Sequence, residues 1–234
     1  MEIKVIASGS SGNCYMISDG VTKMLLECGI RYANILKALD YCISDIAACL
    51  VTHHHLDHSL SCREIFNAGI DLYMSFDTAD EIKDKGFLAK IVTPMKQFRI
   101  GTLMIAPFEN HHCNSDGAPC TCLGFLIYST ITQEKLMFST DTAYISAQFA
   151  GLDYILLEVN YISDMLNEFG IDEVEKRRFK SHQSLENAVA FLEATDKSKL
   201  KRVYAIHLSK DRCDKDKVKT ALQNAIGTGE VIIC

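Results

Sequence analysis

Short apolar runs separated by turn residues dominate the first half of the chain. Ile3–Ala7, Cys14–Ser18 and Lys23–Glu27 read as strands joined by Ser8-Gly9-Ser10-Ser11-Gly12 and by Asp19-Gly20, because glycine and small polar residues mark tight connections. Arg31–Leu39 carries Ile35, Leu36 and Leu39 on one helical face. Cys49–Thr52 predicts a buried strand that stops at a histidine cluster. A helix over Ser59–Ala68, a strand over Leu72–Met74 and a helix over Thr78–Lys85 follow. Further strands are predicted at Ile91–Thr93, Phe98–Ile100, Leu103–Phe108, Leu123–Tyr128, Leu136–Ser139 and Tyr154–Val159. The last third turns helical. Leu185–Ala194 follows Ser184, a good N-cap, and Lys215–Ala225 is amphipathic. Between and after them, Val203–Ile206 is a strand ending in His207, and Glu230–Ile233 is the last strand. Strands followed by strands mixed with helices predict an α/β protein with sheets covered by helices.

Composition supports a globular reading. Of 234 residues, 48% are apolar and 23% charged, enough to bury a core without cross-links. Three prolines, none after Pro119, and no linker or repeat suggest a single domain over 1–234. The formal charge of −6 excludes a generally basic nucleic-acid coat protein but not a local basic patch. No apolar run reaches the ~20 residues of a membrane helix. Met1–Asn13 has one Lys and no long apolar stretch, so it does not read as a signal peptide. Ten cysteines with no export signal then imply free thiols in a reducing cytoplasm. Cys14, Cys28, Cys42 and Cys49 lie in apolar stretches and are expected buried. The absence of any C-x-x-C argues against a structural zinc ribbon.

The strongest chemical signal is Thr52-His53-His54-His55-Leu56-Asp57-His58, an H-x-H-x-D-H pattern after a predicted strand. Such a loop allows His53 and His55 to face one metal and Asp57 and His58 to face a neighbouring one. Imidazole and carboxylate suit Zn²⁺, Mn²⁺ or Fe. His54 is out of that register and is expected off the metals. A site for two metals needs more ligands from the ends of other strands, where loops carry function. His111-His112, Asp141 and His207 all follow apolar runs and are the candidates.

These segments together resemble the metallo-β-lactamase-fold hydrolases, from Ile3 to Leu208-Ser209. Ala7–Asn13 and Leu25-Leu26-Glu27-Cys28-Gly29 resemble the family's first hairpin, with Glu27 where the family usually has Asp. Thr52–His58 resembles its defining motif, Pro107–Cys113 the next, Thr140-Asp141-Thr142 the bridging-Asp motif, and Ala205–Ser209 the last. The resemblance implies a four-layer αβ/βα sandwich. It implies two divalent metal ions, zinc first and manganese second, with His53, His55 and His112 on one and Asp57, His58 and His207 on the other. Of the histidine pair at 111 and 112 it favours His112. Asp141 would bridge the two ions, and Asp57 also counts among the catalytic residues. Two divalent ions, two carboxylates and a bridging hydroxide leave about +1 at the site, suited to an anionic substrate. The hydroxide would be the nucleophile.

Counting narrows the branch. The 65 residues between Asp141 and His207 leave no room for the inserted domain of RNase J-like nucleases, and 27 residues after His207 are too few for the helical domain of glyoxalase II-type thioesterases. The Ala7–Asn13 opening, Leu156–Tyr161 and Ser181-His182-Gln183-Ser184 resemble the YycJ/WalJ-like and tRNase Z-like phosphodiesterases. Leu157 stands where tRNase Z-like enzymes carry a His, which argues against processing of tRNA ends. His182 is then the candidate general acid, with Glu158 orienting it. Lys176-Arg177-Arg178-Phe179-Lys180 and Lys199-Leu200-Lys201-Arg202 are phosphate-gripping candidates or solvated faces. Tyr144 and Tyr161 are candidates for stacking on a base. The expected partner is a nucleotide or nucleic-acid phosphodiester, with no membrane and with a homodimer left open. The competing reading is a cyclic-mononucleotide phosphodiesterase like the compact anti-Pycsar proteins; a lactone or thioester hydrolase comes after it.

Overall fold

The computed structural model describes residues 1–83, 86–114, 117–168, 179 and 181–234. Two sheets organise them. The first has the strand order β1 (Glu2–Ala7), β2 (Cys14–Ser18), β3 (Lys23–Leu26), β4 (Ile46–Leu50), β5 (Asp71–Met74) and β6 (Lys90–Ile91). Tight polar turns make β1, β2 and β3 antiparallel, while helical crossovers make β3 to β6 parallel. The second sheet runs in the opposite order from the C-terminus: β13 (Glu230–Ile233), β12 (Arg202–Ile206), β11 (Tyr154–Glu158), β10 (Lys135–Ser139), β9 (Pro119–Ser129), β8 (Leu103–Cys113) and β7 (Phe98–Ile100). Strands β10 to β13 are parallel.

Contacts divide the chain into two units. The N-terminal unit is Met1–Pro107 with Ile127–Gln133, and the C-terminal unit is Phe108–Leu126 with Glu134–Cys234. The core of the first collects Leu25, Ile35, Cys49, Val51, Ile65 and Leu72. That of the second collects Met137, Ile155, Leu157, Leu192, Val203 and Leu222. The helix Leu185–Ala194 contributes Leu185, Ala188 and Leu192, and Ser184 caps it by accepting from the Asn187 amide. The helix Lys215–Ile226 contributes Val218, Leu222 and Ile226. None of the described helices is long and apolar enough to cross a membrane.

Most predicted elements form, and the departures have local causes. The strand expected at Cys49–Thr52 is Ile46–Leu50, so Thr52–His55 leave the sheet. The helix expected at Ser59–Ala68 is two short helices, Leu56–Ser59 and Cys62–Asn67. Ser61 interrupts them because its hydroxyl bonds the Ile30 carbonyl and its amide the Cys28 carbonyl. Strand β8 runs five residues past Phe108, which puts both His111 and His112 inside it. A helix at Ser163–Glu168 carries no periodic apolar signal. Cys42, expected buried, is exposed in the turn before Ile43, where its thiol meets the Asp40 carbonyl. All ten cysteines are free.

One buried carboxylate ties the turn regions of the N-terminal unit together. Asp19 accepts from the amides of Val21 and Thr22 and from the hydroxyls of Thr102 and Ser129. Burial opposes its charge, but these donors outweigh it and lower its pKa to about 2. The unfolded value is ~3.9, so the stabilisation is full above that pH and is lost as pH falls through the folded value. Asp19→Ala should therefore destabilise the fold by about 2–4 kcal/mol at pH 7. The difference from the native chain should shrink between pH 4 and pH 2 in denaturant titrations. A pH-independent difference would contradict this role.

Candidate metal centre

In each unit, candidate donor residues gather at the ends of strands. In the N-terminal unit, Thr52–His58 leaves β4, with His55 as the N-terminal flank of the helix Leu56–Ser59. His53 is held through Nδ1 by the Thr52 hydroxyl at 2.9 Å, and its Nε2 lies 2.9 Å from His55 Nδ1. The His53 and His58 ring centroids are 4.3 Å apart, and His58 Nε2 is 3.3 Å from Asp57 Oδ2. The backbone here is packed tightly: a Cβ on Gly29 would collide with the Asp57 carbonyl, so only glycine fits. Asn13, given no role by the sequence, donates to the Asp57 carbonyl and places its amide 3.4 Å from His58 Nε2.

Glu27 supports this loop from below. It is fully buried, accepts from the Thr52 amide through both oxygens and lies 3.5 Å from His58 Nδ1. Burial pushes its carboxyl up, with His58 opposing. Its extra methylene relative to Asp is accommodated with the backbone at φ 64°.

In the C-terminal unit, three adjacent parallel strands deliver their donors side by side. The register pairs Ser139 of β10 with Leu157 of β11, and Glu158 of β11 with Ile206 of β12. Asp141, Glu158 and His207 therefore emerge together at the carboxyl ends, where ligands bind in parallel sheets. The side chains of Asp141, Glu158, His182 and His207 bring ligand atoms within 4.8 Å of one another. Asp141 points one oxygen at each of two imidazoles: Oδ2 lies 3.8 Å from His112 Nε2, and Oδ1 lies 3.5 Å from His207 Nε2. His112 and His111 alternate across β8. His112 is buried, with Nδ1 3.1 Å from the Ser181 carbonyl. His111 is exposed and stacks on Tyr144, with centroids 4.3 Å apart. Burial holds the His112 pKa below its ordinary value, which favours the neutral imidazole, the form a metal would require.

Glu158 is a buried hub. It accepts from the amides of Thr142 and Gln183, sits 2.7 Å from His182 Nδ1 and lies 3.4 Å from His207 Nδ1. His182 reaches it because the Asn160 amide bonds the Gln183 carbonyl and the Leu185 amide the Tyr161 carbonyl, stitching this segment to the exit of β11. Burial works against charge on His182, yet the Glu158 and Asp141 carboxylates raise its pKa overall. Asn160 brings its side-chain amide 3.0 Å from His207 Nδ1. Asp141 at φ 49° and His207 at φ 54° occupy the left-handed region, as does Glu27. Such backbone conformations persist where the surroundings impose them and cluster at functional sites.

The basic run at Lys176–Lys180 lies outside the described residues except Phe179. In the run at 199–202, Lys201 pairs with Glu134 and Asp153, and Arg202 pairs with Glu230. Tyr161 is buried.

The chain is similar to several known proteins. An exodeoxyribonuclease, WalJ of Streptococcus pneumoniae, is 25% identical over 240 residues, covering 97% of this chain and 88% of that protein. Exodeoxyribonuclease YycJ of Bacillus anthracis is 24% identical over 248 residues, covering 98% of this chain and 92% of that one. The crystal structure of the metallo-β-lactamase fold protein YhfI from Bacillus subtilis gives a TM-score of 0.75 at 16% identity, over 99% of this chain and 95% of that one. The sequence model of the Beta-lactamase superfamily domain matches residues 24–208. By that match and by its fold, the chain belongs to the β-lactamase superfamily and has the metallo-β-lactamase fold.

Proposed function

We propose that this chain is a hydrolase that cleaves nucleic-acid phosphodiesters, with DNA as substrate, and that it holds two divalent cations. The observation that supports the dinuclear reading best is Asp141, whose two oxygens face His112 and His207 separately. The donor chemistry fits the ions: imidazoles and carboxylates in this mixture suit zinc first and manganese second. His53, His55 and His112 would hold one cation, Asp57, His58 and His207 the other, and Asp141 would bridge, as in the family pattern. When bound, the pair supplies a water of lowered pKa and offsets charge on the attacked phosphate.

The chain's own groups do the rest. Glu158 holds the His182 imidazole at Nδ1, 2.7 Å away, leaving Nε2 to deliver a proton to the departing sugar oxygen. The same carboxylate and Asn160 fix the His207 ring. The exodeoxyribonuclease relatives favour a DNA strand over a cyclic mononucleotide. Ten free cysteines accord with a reducing, cytoplasmic setting. All seven ligand positions filled by one chain support treating 1–234 as one catalytic domain.

The test compares three substrates on protein loaded with Zn²⁺ or Mn²⁺: bis-p-nitrophenyl phosphate, a cyclic mononucleotide and linear DNA. Turnover of DNA above the cyclic nucleotide supports the reading. Turnover of the cyclic nucleotide alone would replace it, and none of the three would remove it. The ligand register has its own check. His54→Ala should keep both metals by elemental analysis, while His53→Ala should lower affinity for one of them by ~10²-fold or more. The reverse order would mean that the histidine cluster is read one residue out of step.

A further inference from the structure

Beside the histidine loop, within the N-terminal unit, lies a cleft of about 820 Å³ whose lining includes Ile6, Ser11, Ile30, Arg31, Lys37 and Leu60. Part of its lining is the outer face of the helix Tyr32–Ala38 and the residue before it. Ile35 of that helix is buried, and Tyr32 and Leu39 pack on the same core, which turns Arg31, Asn34, Lys37 and Ala38 outward into the cleft. The rest of the lining combines the apolar side chains of Ile6, Ile30 and Leu60 with Ser8 and Ser11. Leu60 directly follows the helix that carries Asp57 and His58, and it remains 41% exposed.

The cations of this cleft are not used by the fold. Among the described residues, Arg31 and Lys37 make no ion pair and no side-chain hydrogen bond, in contrast to Lys23, Lys83, Lys90, Lys201 and Arg202. Lys4 donates to the carbonyl of Ala38, a lining residue, and adds a positive charge there. Six residues of helical rise separate Arg31 from Lys37 by roughly 9 Å along the axis. That spacing lets them serve successive phosphates. The floor is anchored to the histidine loop: the Asn13 amide, next to Gly12, bonds the Asp57 carbonyl at 2.8 Å.

We infer that this cleft is a subsite for a single DNA strand, in which Arg31 and Lys37 bind backbone phosphates beyond the scissile one and Ile6, Ile30 and Leu60 receive bases. Two unpaired cations in one cleft with partly exposed apolar side chains match such a strand, which is anionic along its backbone and flat and apolar at its bases. A cyclic mononucleotide has no second phosphate for the cleft. The inference rests on the proposed nucleic-acid substrate and names how its length is sensed.

The experiment measures fluorescence anisotropy of a phosphorothioate DNA 12-mer and of a dinucleotide on the metal-loaded protein, across a salt series. Arg31→Ala/Lys37→Ala should weaken 12-mer binding at least tenfold and reduce the salt slope by about 1.4, since each phosphate contact on a single strand contributes ~0.7. Dinucleotide binding should fall far less. Arg31→Lys/Lys37→Arg should restore most of the 12-mer affinity, which separates lost charge from lost folding. An unchanged 12-mer affinity and slope would overturn the inference. So would an equal loss on both ligands, because the cations would then act at the central site. Failure of the wild type to hydrolyse any diester while binding the 12-mer with a salt slope would count against the catalytic reading and leave the cleft standing.

Discussion

Asp141→Ala is expected to abolish hydrolysis and to lower the metal content of the purified protein. The geometry behind both effects lies within one unit. Asp141 follows β10, is almost fully buried and faces His112 with one oxygen and His207 with the other. The Thr140 hydroxyl donates to Oδ1 at 2.8 Å, which fixes the carboxylate plane. On the proposed dinuclear reading, alanine removes the carboxylate that would bridge the two cations. The remaining imidazoles keep their positions through contacts of their own, His112 at the Ser181 carbonyl and His207 at Asn160. Loss of one cation should cost several kcal/mol of transition-state stabilisation, a fall of ~10³-fold or more. Elemental analysis and turnover of bis-p-nitrophenyl phosphate read the two effects separately. A variant with full turnover and a single metal would end the dinuclear reading.

His182→Ala should lower turnover of DNA by ~10²–10⁴-fold, the range for general acid catalysis. The same change should cost much less on a p-nitrophenyl ester, because that phenolate leaves without a proton and a deoxyribose alkoxide does not. Two metals should remain bound. The structure sharpens this test, since the donor atom of His182 lies within 4.8 Å of those of Asp141, Glu158 and His207. Loss of metal in the variant would therefore make His182 a ligand. Equal losses on both substrates with metals intact would make it a positioning residue. Glu158→Gln should reproduce the leaving-group dependence in weaker form, because it loosens the imidazole at Nδ1 without removing it.

What was legible in the sequence follows from range. Alternating or continuous apolar runs placed Cys14–Ser18, Phe98–Ile100 and Glu230–Ile233 at the bounds they adopt. Ser184 marked the start of its helix because capping is a contact of three residues. The helix break at Ser61 escaped, because its partners are the carbonyls of Cys28 and Ile30. The extension of β8 through His112 escaped for a related reason. Asn110 is polar, yet it is buried by bonds to the Thr140 carbonyl and the Ser139 hydroxyl, so the apolar signal stops before the strand does.

The sequence by itself determined the types of most elements, the candidate donor residues and the family resemblance, since periodicity, caps and the Thr52–His58 spacing are written over a few neighbouring residues. Tertiary structure alone decided which donor atoms face one another. The side-by-side exit of Asp141, Glu158 and His207 depends on the register of β10, β11 and β12. The left-handed backbone at Glu27, Asp141 and His207 carries no local signal, because L-residues rarely adopt it and their surroundings hold it there. The same holds for Glu158, whose partners at Thr142, His182 and His207 come from three separate segments. Hydrogen bonds and charge depend on distance in space, and folding sets that distance only after the local pattern has chosen the elements.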